Sequence, residues 1–337
     1  MTVPPLAGRY VLRREVGAGA SARVYLAEDQ KFGRTVAVKM LNAAFAHSAE
    51  VVQRLEREAR VSALINHANV CAVSDVGRLD NGLPFLVMEY LEGETLAARL
   101  EREKRLPVPV AVQFAEEMLL GLSAAHRRGI VHRDVKPANV FIVDLGHGRH
   151  IVKLLDFGTA YLTAAAGDAP PSLTRAGRVV GTPEFMSPEQ VRGLRDFDAR
   201  TDIYACGVVA YQMLAGRRPF DGLPTEQLSH AIAFNRAPSL SAVAPFVPPP
   251  IALAVDLALA LDLTRRHKDA GAFLAALGQE SVAEAPPTMG IHAITFDDAP
   301  APPTIAGADW DASGPQAGTP STQATSPMAR PLTRRRG

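Results

Sequence analysis

The octet His132-Arg133-Asp134-Val135-Lys136-Pro137-Ala138-Asn139, followed shortly by Asp156-Phe157-Gly158, constrains this chain more than any other stretch. It sets two carboxylates, two cations and an amide beside the apolar runs Val140-Phe141-Ile142-Val143 and Ile151-Val152-Lys153-Leu154-Leu155. Polar groups at that density, next to chain that must be buried, are costly unless each finds a partner. The fold therefore has to hold them at a site where bound molecules supply the partners that the protein does not.

At 337 residues there is room for one large domain, or two lobes sharing a cleft, plus a tail. Lys and Arg (36) nearly balance Asp and Glu (35), so net charge argues for neither a nucleic-acid nor an acidic-lipid partner. Cys71 and Cys206 stand apart in apolar surroundings without metal-ligand or redox spacing. They are expected to be small buried hydrophobes in a reducing cytoplasm. Met1-Thr2-Val3-Pro4-Pro5 lacks the basic start and apolar core of a secretory signal. The longest apolar segment, residues 251–263, is interrupted by Asp256 and Asp262 and falls short of the ~20 residues that a membrane helix needs. The expectation is a soluble, cytoplasmic chain with no membrane partner.

Residues 10–41 alternate apolar and polar positions between Gly-rich breaks, which predicts three antiparallel strands. Residues 49–65 turn helical, with Val51, Val52, Leu55, Ala59, Ser62 and Ile65 on one face. Two further strands are predicted at 71–77 and 85–90, joined at Asp80-Asn81-Gly82. Beyond Glu89-Tyr90-Leu91-Glu92-Gly93 the pattern becomes mainly helical, over residues 95–105, 110–128, 201–214, 226–234 and 251–261. From about residue 281 the chain is rich in Ala, Pro, Thr, Ser and Gly without periodicity, the signature of a disordered tail. The fold class is α+β: a small sheet lobe with one main helix at about 10–90, a larger helical lobe at about 94–277, and the tail at 281–337.

Three more motifs stand in order around the octet. Gly17-Ala18-Gly19-Ala20-Ser21-Ala22-Arg23-Val24 lies between the first two predicted strands, where glycines let backbone N–H groups approach anionic oxygens. A tight turn alone would also account for it. Val36-Ala37-Val38-Lys39 ends in a lysine that either snorkels to solvent or meets an anion. Gly181-Thr182-Pro183-Glu184-Phe185-Met186-Ser187-Pro188-Glu189 closes the segment that begins at Asp156. Together with the octet and Asp156-Phe157-Gly158, these motifs resemble the eukaryotic-like (Hanks-type) serine/threonine protein kinases of bacteria, over residues 10–277.

The resemblance implies a two-lobed fold, ATP, Mg²⁺ with Mn²⁺ as the alternative metal, and protein substrates. Val16, Gly17, Ala18, Gly19, Ala20 and Ser21 would cover the nucleotide, with Ala22 standing where the family has a third glycine. Val24, Ala37 and Phe141 would wall the adenine, an interior-core reading of all three being equally natural. Met88 would be the gatekeeper, Glu89 and Leu91 the hinge backbone contacts, and Thr95 a ribose contact. Lys39 would bind the α- and β-phosphates and pair with a glutamate of the following helix. Glu58 shares a face with Leu55, Ser62 and Ile65, whereas Glu56 lies about 200° away, so Glu58 is the partner chosen. Asp134 would orient the substrate hydroxyl and accept its proton, Lys136 would neutralise the γ-phosphate, and Asn139 and Asp156 would hold the metal. Thr182 would hydrogen-bond to Asp134 and Lys136 in the docking loop, where Ser187 replaces the commoner Ala. Structural roles fall to His132, Phe157, Asp202 and the pair Glu189 and Arg266.

Residues 163–180 carry Gly167-Asp168-Ala169-Pro170-Pro171, a loop signature. Thr174 is expected to be phosphorylated by the enzyme itself, with Ser172 as the rival site, and Arg133 to pair with the phosphate. Such a reaction allows a transient homodimer. The opposing reading of the whole chain is a pseudokinase scaffold that binds nucleotide or partners, favoured by Ala22 and opposed by Lys39, Asp134, Asn139 and Asp156.

Overall fold

The computed structural model describes residues 5–19, 22–42, 49–79, 82–157, 161–162, 174–175, 178–179, 183–194 and 198–278. Five strands, β1 (Tyr10–Ala18), β2 (Ala22–Asp29), β3 (Arg34–Leu41), β4 (Val73–Arg78) and β5 (Pro84–Glu89), form an antiparallel sheet in the order β1-β2-β3-β5-β4. Successive side chains of a strand point to opposite faces. In β3 this sends Val36 and Val38 into a core with Tyr10, Ala27, Phe85 and Val87, while Ala37 and Lys39 line a cavity on the other side. Helix α1 (Ala49–Ala63) packs Leu55 and Ala59 against Leu86 of β5. Its buried face includes Glu58 and Ser62, and Ile65 just beyond it is buried too.

The chain then crosses into a larger, mainly helical lobe. A three-stranded sheet of β6 (Gly93–Thr95), β8 (Val140–Asp144) and β9 (His150–Leu154) lies under the cavity. The apolar runs at 140–143 and 151–155 thus form a hairpin. Alternation does not mark it, because Val140, Ile142, Val152 and Leu154 are buried and Phe141, Val143 and Ile151 are half-covered. Helix α2 (Leu96–Glu103) starts at Thr95, whose Oγ1 accepts the Ala98 N–H at 3.2 Å. Helices α3 (Val108–His126), α4 (Pro188–Val191), α5 (Arg200–Ala215), α6 (Thr225–Phe234), α7 (Leu240–Val243), α8 (Pro249–Ala258) and α9 (Ala270–Gly278) follow. Short pairs also join β7 (Ile130–Val131) to β10 (Tyr161–Leu162) and β11 (Thr174–Arg175) to β12 (Arg178–Val179).

The core of this lobe is α3 against α5, α9 and β9, with α8 on the far side of α5. Helix α5 ends at Gly216, which takes the left-handed conformation (φ 73°) that a residue with a Cβ adopts at a cost. Among the described residues α3 is long and apolar enough to cross a membrane by length and composition, and half of that window is buried in the protein. Phe114, Met118, Leu119 and Leu122 make it the centre of the lobe.

Candidate active site

A cavity of about 700 Å³ opens between the five-stranded sheet and the β8–β9 hairpin. Val16, Gly17, Ala18 and Gly19 line its roof, with Val24 and Ala37 behind them; Ala20 and Ser21 lie outside the described residues. The Gly19 N–H donates to the Ala22 carbonyl at 2.8 Å, closing the β1–β2 turn, and Asn42 Nδ2 donates to the Gly19 carbonyl at 3.2 Å. Met88, Glu89 and Leu91 form the edge where the chain changes lobe, Thr95 lines the mouth, and Asn139, Phe141 and Asp156 line the floor.

Lys39 Nζ lies 2.7 Å from both Glu58 carboxylate oxygens and 3.4 Å from Asp156 Oδ2. Burial alone pushes the Lys39 ammonium down, but the Glu58 and Asp156 carboxylates outweigh it and hold Lys39 above the ordinary lysine range. The cation is thus kept charged inside the cavity. Glu56 instead turns outward to Arg78. Cys71 also lines the cavity as a free, buried thiol, pushed up to about 12 by burial, so it stays protonated.

In the loop that leads to Asn139, Lys136 Nζ donates to both Asp134 carboxylate oxygens at 2.9 and 2.8 Å. Asn139 Nδ2 donates to the Asp134 backbone carbonyl (2.8 Å) and to Oδ2 (3.1 Å). The 3₁₀ turn Pro137–Asn139 brings the amide into reach of Asp134, five positions back. Arg133 (φ 69°) and Asp156 (φ 57°) adopt left-handed backbone conformations that cost a non-glycine residue about 1 kcal/mol or more. Both are held by their surroundings: the Leu155 N–H donates to the Asn139 carbonyl at 2.8 Å, and His132 Nε2 bonds to the Leu155 carbonyl at 3.0 Å.

A protein kinase domain profile matches residues 10–248. The chain belongs to the protein kinase family. It is 40% identical over 279 residues to serine/threonine-protein kinase Pkn1 of Myxococcus xanthus, covering 82% of this chain and 39% of Pkn1. Against serine/threonine-protein kinase PknL of Mycobacterium bovis it is 38% identical, covering 82% of this chain and 67% of PknL. Against PknA of Mycobacterium tuberculosis it is 36% identical, covering 84% of this chain and 63% of PknA. The chain therefore spans between about four-tenths and two-thirds of these relatives. A crystal structure of the Mycobacterium tuberculosis PknI kinase domain superposes with a TM-score of 0.60 at 28% identity, covering 81% of this chain and 95% of that one. The two-lobed kinase fold and the bacterial serine/threonine branch expected from the motifs both hold.

The kinase anchors the loop that carries Asp134 from its helical core. Asp202, fully buried on α5, accepts the backbone N–H groups of His132 and Arg133, each at 2.8 Å, and bonds to His126 Nε2 at 2.8 Å. Burial pushes its carboxyl up, and these donors, the His126 hydrogen bond foremost, more than reverse that. Glu189 pairs with Arg266 at 2.8 Å, and Thr201 Oγ1 donates to it at 3.0 Å. Ser187 caps α4 in a reciprocal box with Gln190, and Gln190 Nε2 donates to the Arg133 carbonyl at 2.9 Å.

Sequence reasoning missed Gln190 and Asn42, ordinary polar residues whose bonds to Arg133 and Gly19 span 57 and 23 positions. Thr182 and Ser172, expected in docking and phosphorylation, lie outside the described residues, as does the tail at 281–337. Thr174 opens β11, its backbone paired with Val179.

Proposed function

We propose that this kinase transfers the γ-phosphoryl group of ATP to serine or threonine hydroxyls of proteins, its own activation segment included. One observation carries the reading: a charged Lys39 clamped by Glu58 beside Asp156, with Asn139 of the cavity floor bonded to an Asp134 carboxylate that also accepts Lys136. Lys39 would hold the α- and β-phosphates, and Asp134 would orient the attacking hydroxyl and take its proton as the new O–P bond forms and the bond from the γ-phosphorus to the β–γ bridging oxygen breaks, releasing ADP. Lys136, already on Asp134, is positioned to neutralise the group in transfer. Such catalysis is largely positioning and electrostatics.

The donor set fits magnesium. Both Asn139 Nδ2 contacts go to Asp134, leaving the amide oxygen as the ligand atom, and Asp156 adds a carboxylate on the same floor. Mg²⁺ takes few protein oxygens beside water and phosphate, and Mn²⁺ accepts the same hard donors. When bound, an ion held by Asn139 and Asp156 would offset the negative charge of the phosphates.

The cavity lining supports the remaining assignments: Val16, Gly17, Ala18 and Gly19 over the nucleotide; Val24, Ala37 and Phe141 against the base; Met88, Glu89 and Leu91 along its edge; Thr95 at the ribose. Ala20 and Ser21 join the nucleotide cover by their place in the sequence motif. We assign residues 10–277 to the kinase domain, with Thr182 in substrate docking and Arg133 as the receptor for phosphate on Thr174. Protein substrates and a cytoplasmic setting complete the reading, with a transient homodimer for autophosphorylation. Incubating the purified chain with γ-labelled ATP, Mg²⁺ and a generic basic protein, followed by phosphosite mass spectrometry, tests it. Label on Ser and Thr that disappears in Asp156→Asn is expected; no transfer by the wild type with either metal would leave the pseudokinase reading standing.

A further inference from the structure

Besides the chain crossing at Tyr90-Leu91-Glu92 and the Lys39–Asp156 contact, the two lobes of the kinase meet behind the cavity. There residues 69–71 leave the small lobe and bond to β9: the Cys71 N–H donates to the Leu154 carbonyl and the Leu154 N–H to the Asn69 carbonyl, both at 2.9 Å. Asn69 Nδ2 adds a buried bond to the Val152 carbonyl at 2.9 Å. One carboxylate oxygen joins this rear strip to the hinge. Glu89 Oε1 accepts Lys153 Nζ at 2.8 Å and the Ala72 N–H at 2.7 Å, while the Glu89 N–H donates to the Ala72 carbonyl at 3.0 Å.

Both partners are joined to the cavity. Glu89 lines it together with Tyr90 and Leu91, and Lys153 lies opposite Phe141 of its floor in the β8–β9 register. Lys153 is the one charged residue in an otherwise apolar run, yet its side chain is only 14% exposed. An apolar side chain there would avoid the desolvation of a charge, so a half-sheltered ion pair at that point adds geometry more than stability.

We infer that Glu89 and Lys153 form a latch across the rear of the hinge that holds the cleft in its nucleotide-binding geometry, with Lys153 as a positioning residue. The inference rests on the nucleotide reading of the cavity given above. Without the latch, Glu89 keeps only the Ala72 amide, the two lobes pivot more freely, and the binding-competent arrangement becomes a smaller fraction of the population. Apparent affinity falls by that fraction. Because coupling is reciprocal, bound nucleotide also tightens the latch.

The test is calorimetric titration of the full chain with Mg²⁺-ADP, for the wild type and the variants Lys153→Met and Lys153→Arg, with melting midpoints in parallel. Lys153→Met should bind roughly 3- to 10-fold more weakly, the range for losing one partly exposed charge-assisted bond, with Lys153→Arg restored towards wild type. Hydrogen exchange at the Ala72 amide, read on the wild type alone, should slow when Mg²⁺-ADP is added. Unchanged affinity in Lys153→Met, or a lower midpoint with affinity intact, overturns the latch and leaves the nucleotide cleft standing. A wild type that binds no nucleotide overturns both.

Discussion

Asp202 and Arg133 are 69 positions apart, yet the Asp202 carboxylate accepts the Arg133 N–H at 2.8 Å and so fixes the peptide that enters Arg133, the residue before Asp134. The strained backbone of Arg133 is held by a fully buried side chain of α5. Asp202→Ala should therefore lower kcat by about 10²-fold or more through misplacement of Asp134, with KM for ATP nearly unchanged, because Lys39 and Glu58 lie elsewhere. Steady-state kinetics with ATP varied check it; an effect confined to KM would be inconsistent with this role.

Lys39→Met removes the charge from the cavity roof and leaves Glu58, 5% exposed, without its ammonium. The expected loss in kcat/KM is about 10²- to 10³-fold, the usual effect of deleting one preorganised charge donor. Glu58→Gln, which still offers Lys39 an oxygen, should lose about ten times less. Phosphoryl-transfer rates at fixed Mg²⁺ separate the two.

Acid stability follows from Glu189 and Arg266. Burial pushes the Glu189 carboxyl up, but the Arg266 guanidinium more than offsets this and holds it below the ordinary range. A depressed folded value means stability that is present above the unfolded value and lost as pH falls through the folded one. Arg266→Met should cost about 3–5 kcal/mol at neutral pH, because Glu189 is left as a buried unpaired charge. That deficit should shrink as pH falls towards the ordinary glutamate range, because burial unopposed by Arg266 raises the Glu189 carboxyl in the variant and it takes up its proton early. Urea midpoints from pH 3 to 8 read both effects.

Gly93, at φ 145°, brings its backbone against β8: a Cβ there would lie 2.0 Å from the Ile142 carbonyl oxygen. Gly93→Ala should destabilise by about 2 kcal/mol or more and disturb the hinge. Gly82, also at positive φ but with open space around it, should cost about 1 kcal/mol on the same change. Paired denaturant titrations compare them.

Sequence left Lys39 between solvent and an anion, and only the resemblance chose the anion; the structure puts it on the cavity face, while helix geometry chose Glu58 over Glu56 because only one of them shares the face of Leu55 and Ser62. Helix α9 carried no such mark. Its sequence, Ala270–Gly278, is almost wholly apolar, so no polar face sets the period. The Glu89 carboxylate is a second case: its partner Lys153 is 64 positions away, and a tertiary contact at that distance leaves no local pattern. Motifs report chemistry because their residues are close in sequence, whereas the residues that brace them are close only in space.

The left-handed backbone at Asp156 decides how its chemistry can be questioned. Alanine there would delete the carboxylate and also oppose the φ of 57°, so an inactive Asp156→Ala protein would confuse a lost ligand with a rearranged loop. Asparagine tolerates the same conformation and keeps one oxygen. Asp156→Asn is thus the substitution that isolates charge from shape, and at this position a conservative change is more informative than a drastic one.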